Sequence, residues 1–359
     1  MHFSISYVSK LVSMAMFIAL LVGMPACWFF YQNYLDEPLS IGDEGLLFNV
    51  PESSNLYAVS NELALAGYLK YPRLLVWHAR WNKQADIKAG EYRFASGTTP
   101  VSILEQLNQG SVIQHPVTLI EGWAMSEILD ALDANPQIHS KLVGKSDAEI
   151  LQALELEIDH LEGWFYPDTY LFTRGTTDID VLQRAHARMR DVLAEEWVAR
   201  DTGLPLANAY EALILASLIE KETGAAHERP EIAGVFVRRL QKGMRLQTDP
   251  SVIYGLGSEF DGNLTRAHLQ QETPYNTYRI NGLPPTPIAA SGRDAIRAAL
   301  QPAAGKALYF VARGDGTHQF SSTLDEHNTA VRKYQIEQRA KDYRSAPSPS
   351  SSDSSSSNP

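Results

Sequence analysis

The stretch Leu213 to Gly224, reading Leu-Ile-Leu-Ala-Ser-Leu-Ile-Glu-Lys-Glu-Thr-Gly, most restricts what this chain can fold into. Its first seven residues are apolar or small without a break, so a helix here is covered on nearly every side and belongs in a core. Two carboxylates then appear. Leu215, Leu218, Ile219 and Glu222 stand at i, i+3, i+4 and i+7, which places Glu222 on an apolar stripe. Glu220 follows Leu213, Ala216 and Ser217 at similar spacing, so periodicity alone does not choose between the two acids. Gly224 stands where a left-handed cap would end the helix, putting both acids in its last turn, where the macrodipole disfavours negative charge. Burial and dipole both raise a carboxyl pKa, and an acid still protonated near neutral pH is what general-acid catalysis needs. The alternative reading is a helix end that merely emerges into water.

The 359 residues are enough for two compact domains, and the formal net charge of -11 argues against nucleic-acid binding, which usually shows a basic patch. An acidic balance suits a carbohydrate partner better than an anionic membrane surface. Residues 11–30 are almost wholly apolar, carry no charge and are about long enough to cross a bilayer as a helix. Lys10 precedes this run and Asp36 and Glu37 follow it, so the positive-inside bias places residues 1–10 in the cytoplasm and exports the rest. Met24-Pro25-Ala26-Cys27 loosely resembles a lipoprotein processing site, but the apolar run continues past it through Trp28, Phe29 and Phe30, which favours an uncleaved anchor. Cys27 is the only cysteine, so an exported body must be stable through its core alone. At the other end, residues 341–359 become a serine- and proline-rich stretch that buries too little to order itself and is expected to be a disordered tail.

Between Gly45 and Leu119 short strands alternate with helices. Leu46, Phe48 and Val50 alternate as a strand, Asn55 and its neighbours offer a cap, and Leu56, Val59 and Leu63 follow as a helix face. A second helix is predicted over 72–81, a glycine turn into a strand over 88–94, and a third helix after Thr98 and Thr99 ending at Gly110, with 112–119 returning as a strand. Nothing here has catalytic spacing. The order of elements is similar to the LysM-like module that precedes certain cell-wall enzymes, a resemblance that implies glycan binding; a plain spacer is the other reading.

The larger domain, 120–340, opens with Glu121-Gly-Trp123, a tripeptide repeated as Glu162-Gly-Trp164 in unlike surroundings and so read as coincidence. Ser146 and Glu149 form a capping box. The aromatic run Leu161 to Phe172 suits either a sugar platform or an aromatic core loop. An amphipathic helix over 178–200 carries its charges on an outer face, and another over 228–242 brings Arg238 and Arg239, which cannot both point the same way; surface exposure is expected, pairing of one of them with a site acid being the other reading. Gln247 and Asp249 sit in a polar segment and could face a ligand. Thr273 to Ile288 is too rich in proline for regular structure, and loops built that stiffly often form site walls. Residues 307–312 and 318–321 pair as a hairpin across Gly314-Asp-Gly316, and a closing helix is predicted over 324–339. No histidine pair has metal-ligand spacing around an acid and no Gly-x-Ser-x-Gly is present, so neither a metal nor a cofactor is expected, nor a serine nucleophile. The fold class is α+β: a transmembrane helix, a small α/β module and a larger mixed domain.

Five blocks stand in order: Glu162-Gly-Trp-Phe-Tyr-Pro-Asp-Thr-Tyr170, Ala216-Ser-Leu-Ile-Glu-Lys-Glu-Thr223, Gly243-Met-Arg-Leu-Gln-Thr-Asp-Pro-Ser251 with Tyr254, Tyr275-Asn-Thr-Tyr278 and Gly282-Leu-Pro-Pro285. Together they resemble the endolytic murein transglycosylases, the MltG/YceG-like family. One departure is visible: Ser291 stands where the family usually has a proline. The resemblance implies a lyase that cuts the MurNAc-GlcNAc linkage inside peptidoglycan strands and leaves a 1,6-anhydro end, with Glu222 as the catalytic acid. It places Tyr254, Tyr275, Asn276 and Tyr278 in the sugar groove, with Gln247, Asp249 and Glu162 beside them. Glu220 is the backup acid, its other role being to hold a backbone or arginine partner near the site. The implied setting is the inner membrane, crossed once, with the catalytic domain in the periplasm. Glycan strands are the expected partner, and peptidoglycan synthases or penicillin-binding proteins are candidates. A non-catalytic, membrane-anchored glycan-binding scaffold is the competing reading.

Overall fold

The computed structural model describes residues 5–337, so the expected tail at 341–359, the far end of the closing helix and the first residues of the expected cytoplasmic segment lie outside the described residues. The chain divides into two compact units between His115 and Pro116.

In the first unit, helix α1 (Ile5–Asp36) is a single run of 32 residues. Its part Met16–Asp36 is long and apolar enough to cross a membrane, by length and composition. The helix does not end in a free linker. Tyr34 and Leu35 in its last turn are buried, at 4% and 2% exposure, in the same core as Ile41, Phe48 and Leu104. Strands β1 (Leu46–Val50) and β2 (Gly90–Phe94) pair antiparallel with Phe48 opposite Tyr92. Helices α2 (Leu56–Leu65), α3 (Pro72–Trp81) and α4 (Pro100–Gln109) complete the core through Leu63, Leu75 and Leu107, all fully buried. Their ends follow the local chemistry: Asn55 Oδ1 accepts from the Ala58 N–H, Thr99 and Ser102 cap one another, and Gly110 turns left-handed at φ 76°.

The second unit begins with a short ribbon, β3 (His115–Thr118) against β4 (Thr169–Phe172), linked through α5 (Met125–Asp133) and α6 (Asp147–Ala153). The expected capping box is present, with Glu149 Oε2 accepting from both the N–H and the hydroxyl of Ser146. The aromatic run contributes mostly to the core: Phe165, Tyr170 and Phe172 are buried and Trp164 stacks on Tyr210 at 5.6 Å. The platform reading therefore fails for these rings.

Helix α8 (Ala209–Glu222) is the axis of this unit, every residue from Ala212 to Glu220 being buried. Around it pack α7 (Asp178–Val198), α9 (Arg229–Gln241), α10 (Asp249–Leu256) and, most extensively, α12 (Arg293–Leu300); a short helix α11 (Arg266–Gln270) precedes the proline-rich loop. The charges of α7 do not all face water. Glu196 is buried and accepts from Arg293 and Arg297 at 2.9 Å each, tying α7 to α12. The hairpin of β5 (Tyr309–Ala312) and β6 (His318–Ser321) turns through Gly314 and Gly316, both at positive φ. The closing helix α13 (Leu324–Val331) continues as a π-helical segment to Glu337.

The two Glu-Gly-Trp tripeptides serve one purpose although the repeat is not a duplicated unit. Gly122 donates its N–H to Ala290 O and Trp123 O accepts from Ala290 N, while a Cβ on Gly163 would stand 2.4 Å from Pro287. Both glycines are left-handed, at φ 82° and 80°. Gly163 lets the backbone lie close against Pro287, and the turn at Gly122 brings the backbone bonds to Ala290; the segment Pro287 to Ala290 lies against α8, the Ile288 N–H donating to Ser217 Oγ.

Candidate active site

Helix α8 ends at Glu222, where Thr223 is already extended (φ -146°, ψ 135°). The expected left-handed cap is not what stops it; the chain turns away directly after the acid and leaves Gly224 beyond the cap. Glu222 lines a cavity of about 1490 Å³ together with Glu162, Arg239, Gln247, Asp249, Tyr254, Tyr275 and Tyr278. It keeps partial access to that cavity. Burial of the carboxyl pushes its pKa up from 4.5 to about 7; the charge of Asp249 adds to the rise, while the Thr248 hydroxyl and the Arg239 guanidinium oppose it.

The segment after α9 arranges the other polar groups. Gln247 is held at φ 53°, in the left-handed region that costs a residue with a side chain about 1 kcal/mol or more. Its N–H donates to Thr277 O at 3.2 Å and its Oε1 accepts from Arg239 Nη1 at 3.4 Å. Asp249 is the first residue of α10 and accepts from the Tyr278 hydroxyl at 2.6 Å. That hydroxyl is held well above the ordinary tyrosine pKa, first by burial and then by the Asp249 charge. Elsewhere in the lining Tyr254 and Tyr275 meet edge to face at 4.9 Å. Tyr254 donates to Glu162 Oε2 at 3.1 Å and the Tyr275 hydroxyl lies 2.8 Å from Thr286 Oγ1. Glu162 also accepts from the Met125 N–H at 3.1 Å, which fixes it at the N-terminus of α5, and burial raises its pKa.

Two candidates stand away from the cavity lining. Glu220 accepts from Arg229 Nη2 at 2.6 Å and from the Gly292 N–H at 2.9 Å, joining α9 and α12 to the core helix. Its pKa is raised by burial against the pull of Arg229. These are the arginine and backbone partners that the sequence left open for it. Asn276, fully buried, donates to the carbonyls of His268, Leu269 and Gln271 and accepts from the Tyr278 N–H. Its place is under the loop that carries Tyr275 and Tyr278, so it shapes the groove from behind.

Arg239 is the residue that sequence reasoning misplaced. Instead of facing solvent it is 6% exposed, donating to Leu308 O at 2.6 Å and Leu246 O at 2.7 Å with its guanidinium 5.1 Å from the Tyr309 ring centre. Arg238 is also half-buried, donating to Ala307 O and Ala303 O. Local sequence does not separate these arginines from surface ones, because the carbonyls of Ala303, Ala307 and Leu308 lie more than sixty residues away, and the nearer acceptor of Arg239, Leu246 O, is reached only through the turn after α9. The arrangement as a whole suits proton transfer to a bound polar ligand: a carboxyl poised near neutrality, two acid–tyrosine pairs in the lining, and a buried cation, Arg239, to balance charge.

Comparison with known proteins gives the family. The YceG-like family matches residues 48–333. An endolytic murein transglycosylase of Bacillus subtilis is 30% identical over 324 residues, covering 85% of this chain and 89% of the relative. A protein of the same description from Streptococcus pneumoniae is 27% identical, covering 90% of this chain, which spans 64% of that relative's length. The crystal structure of a YceG-like protein from Listeria monocytogenes matches with a TM-score of 0.50 at 28% identity, over 80% of this chain and 99% of that one. The family match spans both the module and the cavity-bearing unit, and the chain is a member of the YceG-like family.

Proposed function

We propose that this chain is an endolytic peptidoglycan lytic transglycosylase in which Glu222 serves as general acid and then as general base. The carrying observation is the Glu222 carboxyl, raised to about 7, facing a cavity walled by Tyr254, Tyr275 and Tyr278. The names of the relatives supply the substrate class and the reaction.

In the reaction, Glu222 gives its proton to the glycosidic oxygen between MurNAc and GlcNAc as the bond from that oxygen to the MurNAc C1 breaks. The C6 hydroxyl oxygen of the same MurNAc closes on C1, and its proton passes to the Glu222 carboxylate. One bond to C1 is exchanged for another, no water is consumed, and the acid is restored for the next turnover. A single carboxyl suffices because the substrate supplies its own nucleophile, already tethered near the reacting carbon. Two-carboxylate glycosidases need a partner acid at a set distance, to activate water or to form a covalent bond. Here Asp249 is engaged by Tyr278 and Glu162 by Tyr254 and Met125, consistent with positioning roles. Tyr254, Tyr275 and Tyr278 offer ring faces and edges to pyranose rings, with Gln247 and Asp249 for hydroxyls.

The anchor reading places α1 in the inner membrane, crossed once, with the chain after α1 on the periplasmic side. The first unit is then a LysM-like module that orients strands or sets cutting height, and synthases remain candidate partners. Incubating the full chain in detergent with intact strands in ¹⁸O-labelled water tests the reaction class. Internal fragments with anhydro ends and no label are expected; labelled reducing ends would convert the reading to a hydrolase, and bound but uncut strands would support the scaffold.

A further inference from the structure

The aromatic character of α1 does not stop where its apolar run stops. Trp28, Phe29 and Phe30 are 62%, 70% and 52% exposed, and the neighbouring rings carry the same character onto α3. Phe30 meets Tyr71 at 5.6 Å, Tyr31 meets Trp77 edge-on at 5.6 Å, and Trp77 meets Trp81 at 5.6 Å. Helix α3 is divided cleanly. Leu75, Val76 and Ala79 enter the core, while Trp77 and Trp81, one turn apart on one face, are 52% and 73% exposed. Exposed Arg73 continues that face one turn earlier, and exposed Arg80 and Lys83 lie at its end. Between the two helices runs a groove of about 1170 Å³ whose lining, including Met24, Cys27, Trp28, Leu74 and Trp77, is almost entirely apolar.

Two tryptophans gain nothing from water on a helix whose other face already fills the core. Indole rings settle where one edge is apolar and the other wet, and bilayer interfaces concentrate them for that reason. We propose that α3 is an interfacial helix. With the candidate span of α1 it forms a bracket that lays the first unit on the membrane, Trp77 and Trp81 at headgroup depth beside Trp28 to Phe30. The groove between the helices takes a lipid acyl chain, and Arg73, Arg80 and Lys83 meet lipid phosphates. The occupant is lipid because the groove is lined in part by the span itself, so whatever fills it must be present at the depth of the anchor. The proposal rests on the anchor reading of α1.

The test uses the full chain reconstituted into vesicles of phosphatidylethanolamine and phosphatidylglycerol, part of the lipid brominated at shallow acyl positions. Fluorescence quenching is compared for wild type and the single variants Trp28→Phe, Trp77→Phe and Trp81→Phe. The three remaining tryptophans, Trp123, Trp164 and Trp197, give a constant background in the second unit. Each variant should lose part of the quenchable emission, the loss at Trp77 and Trp81 being comparable with that at Trp28. Loss confined to Trp28→Phe would overturn the interfacial helix and leave the anchor standing. No quenching in any of the four chains, with protein removed from vesicles by a salt wash, would overturn the anchor itself. Quenching at Trp77 and Trp81 that vanishes as the protein-to-lipid ratio rises would assign the face to a second copy of the chain and reject lipid.

Discussion

Replacing Glu222 by glutamine should stabilise the protein, and by an amount that depends on pH. The folded carboxyl has a pKa near 7 against 4.5 for the unconstrained group, so burial disfavours its charged form. Between those values the folded state holds a proton that the unfolded state has released, and stability falls as pH rises through the interval. The full rise corresponds to about 3 kcal/mol, an upper figure because the residue keeps partial access to the cavity. Glutamine has the same shape and no charge to desolvate. At about pH 4.5 the variant should unfold close to the wild-type temperature, while at about pH 8 the transition of the second unit should rise by several degrees, on the order of 2–4 °C per kcal/mol for a unit of this size. Calorimetry of both proteins at the two pH values reads the difference directly. A stability difference that does not change with pH, or destabilisation at high pH, would refute the claim that the site stores an unfavourable charge.

Turnover should decline as pH rises through about 7, with one proton lost, because only the protonated Glu222 can act as the acid; a pH profile of strand cleavage rates checks this. Arg229→Met should destabilise the protein by about 3–5 kcal/mol, since it leaves the buried Glu220 carboxylate without its cationic partner and with only the Gly292 N–H, and denaturant unfolding would measure it. Gly163→Ala should cost more than about 1 kcal/mol, combining the strain of a left-handed alanine with a Cβ only 2.4 Å from Pro287, again read by unfolding.

The core helix and its two acids were legible because an apolar run has few folds open to it, whereas the way that helix ends was not. A glycine two residues past Glu222 suggests a left-handed cap, but the chain is already extended at Thr223, whose hydroxyl accepts from the Ala225 N–H. The division of labour between the acids was left open by periodicity and is set by partners distant in sequence: Glu220 meets Gly292 across seventy-two residues, and only Arg229 is near it. Arg239 looks like a surface residue for a related reason: Leu308 O reaches it across sixty-nine residues, and Leu246 O only through the turn that follows α9. Asn276 shows the limit of reading a motif as a row of ligands, because its neighbours Tyr275 and Tyr278 line the cavity while Asn276 holds their loop. Local capping chemistry was the most transparent layer. Asn55 and Thr99 accept backbone N–H groups as N-caps, and Glu149 reaches back to the N–H of Ser146.

One module boundary changes how the protein should be handled. Tyr34 and Leu35 belong to the core of the first unit, so a soluble fragment beginning at Leu39 would remove part of what it needs to fold.

The most direct test of the account is mass spectrometry of the products formed from intact glycan strands by the full chain and by its Glu222→Gln variant. Internal fragments bearing 1,6-anhydro ends from the wild type, and none from the folded variant, are the predicted result. Equal yields of anhydro products from both would contradict it and move the acid to another carboxyl of the cavity.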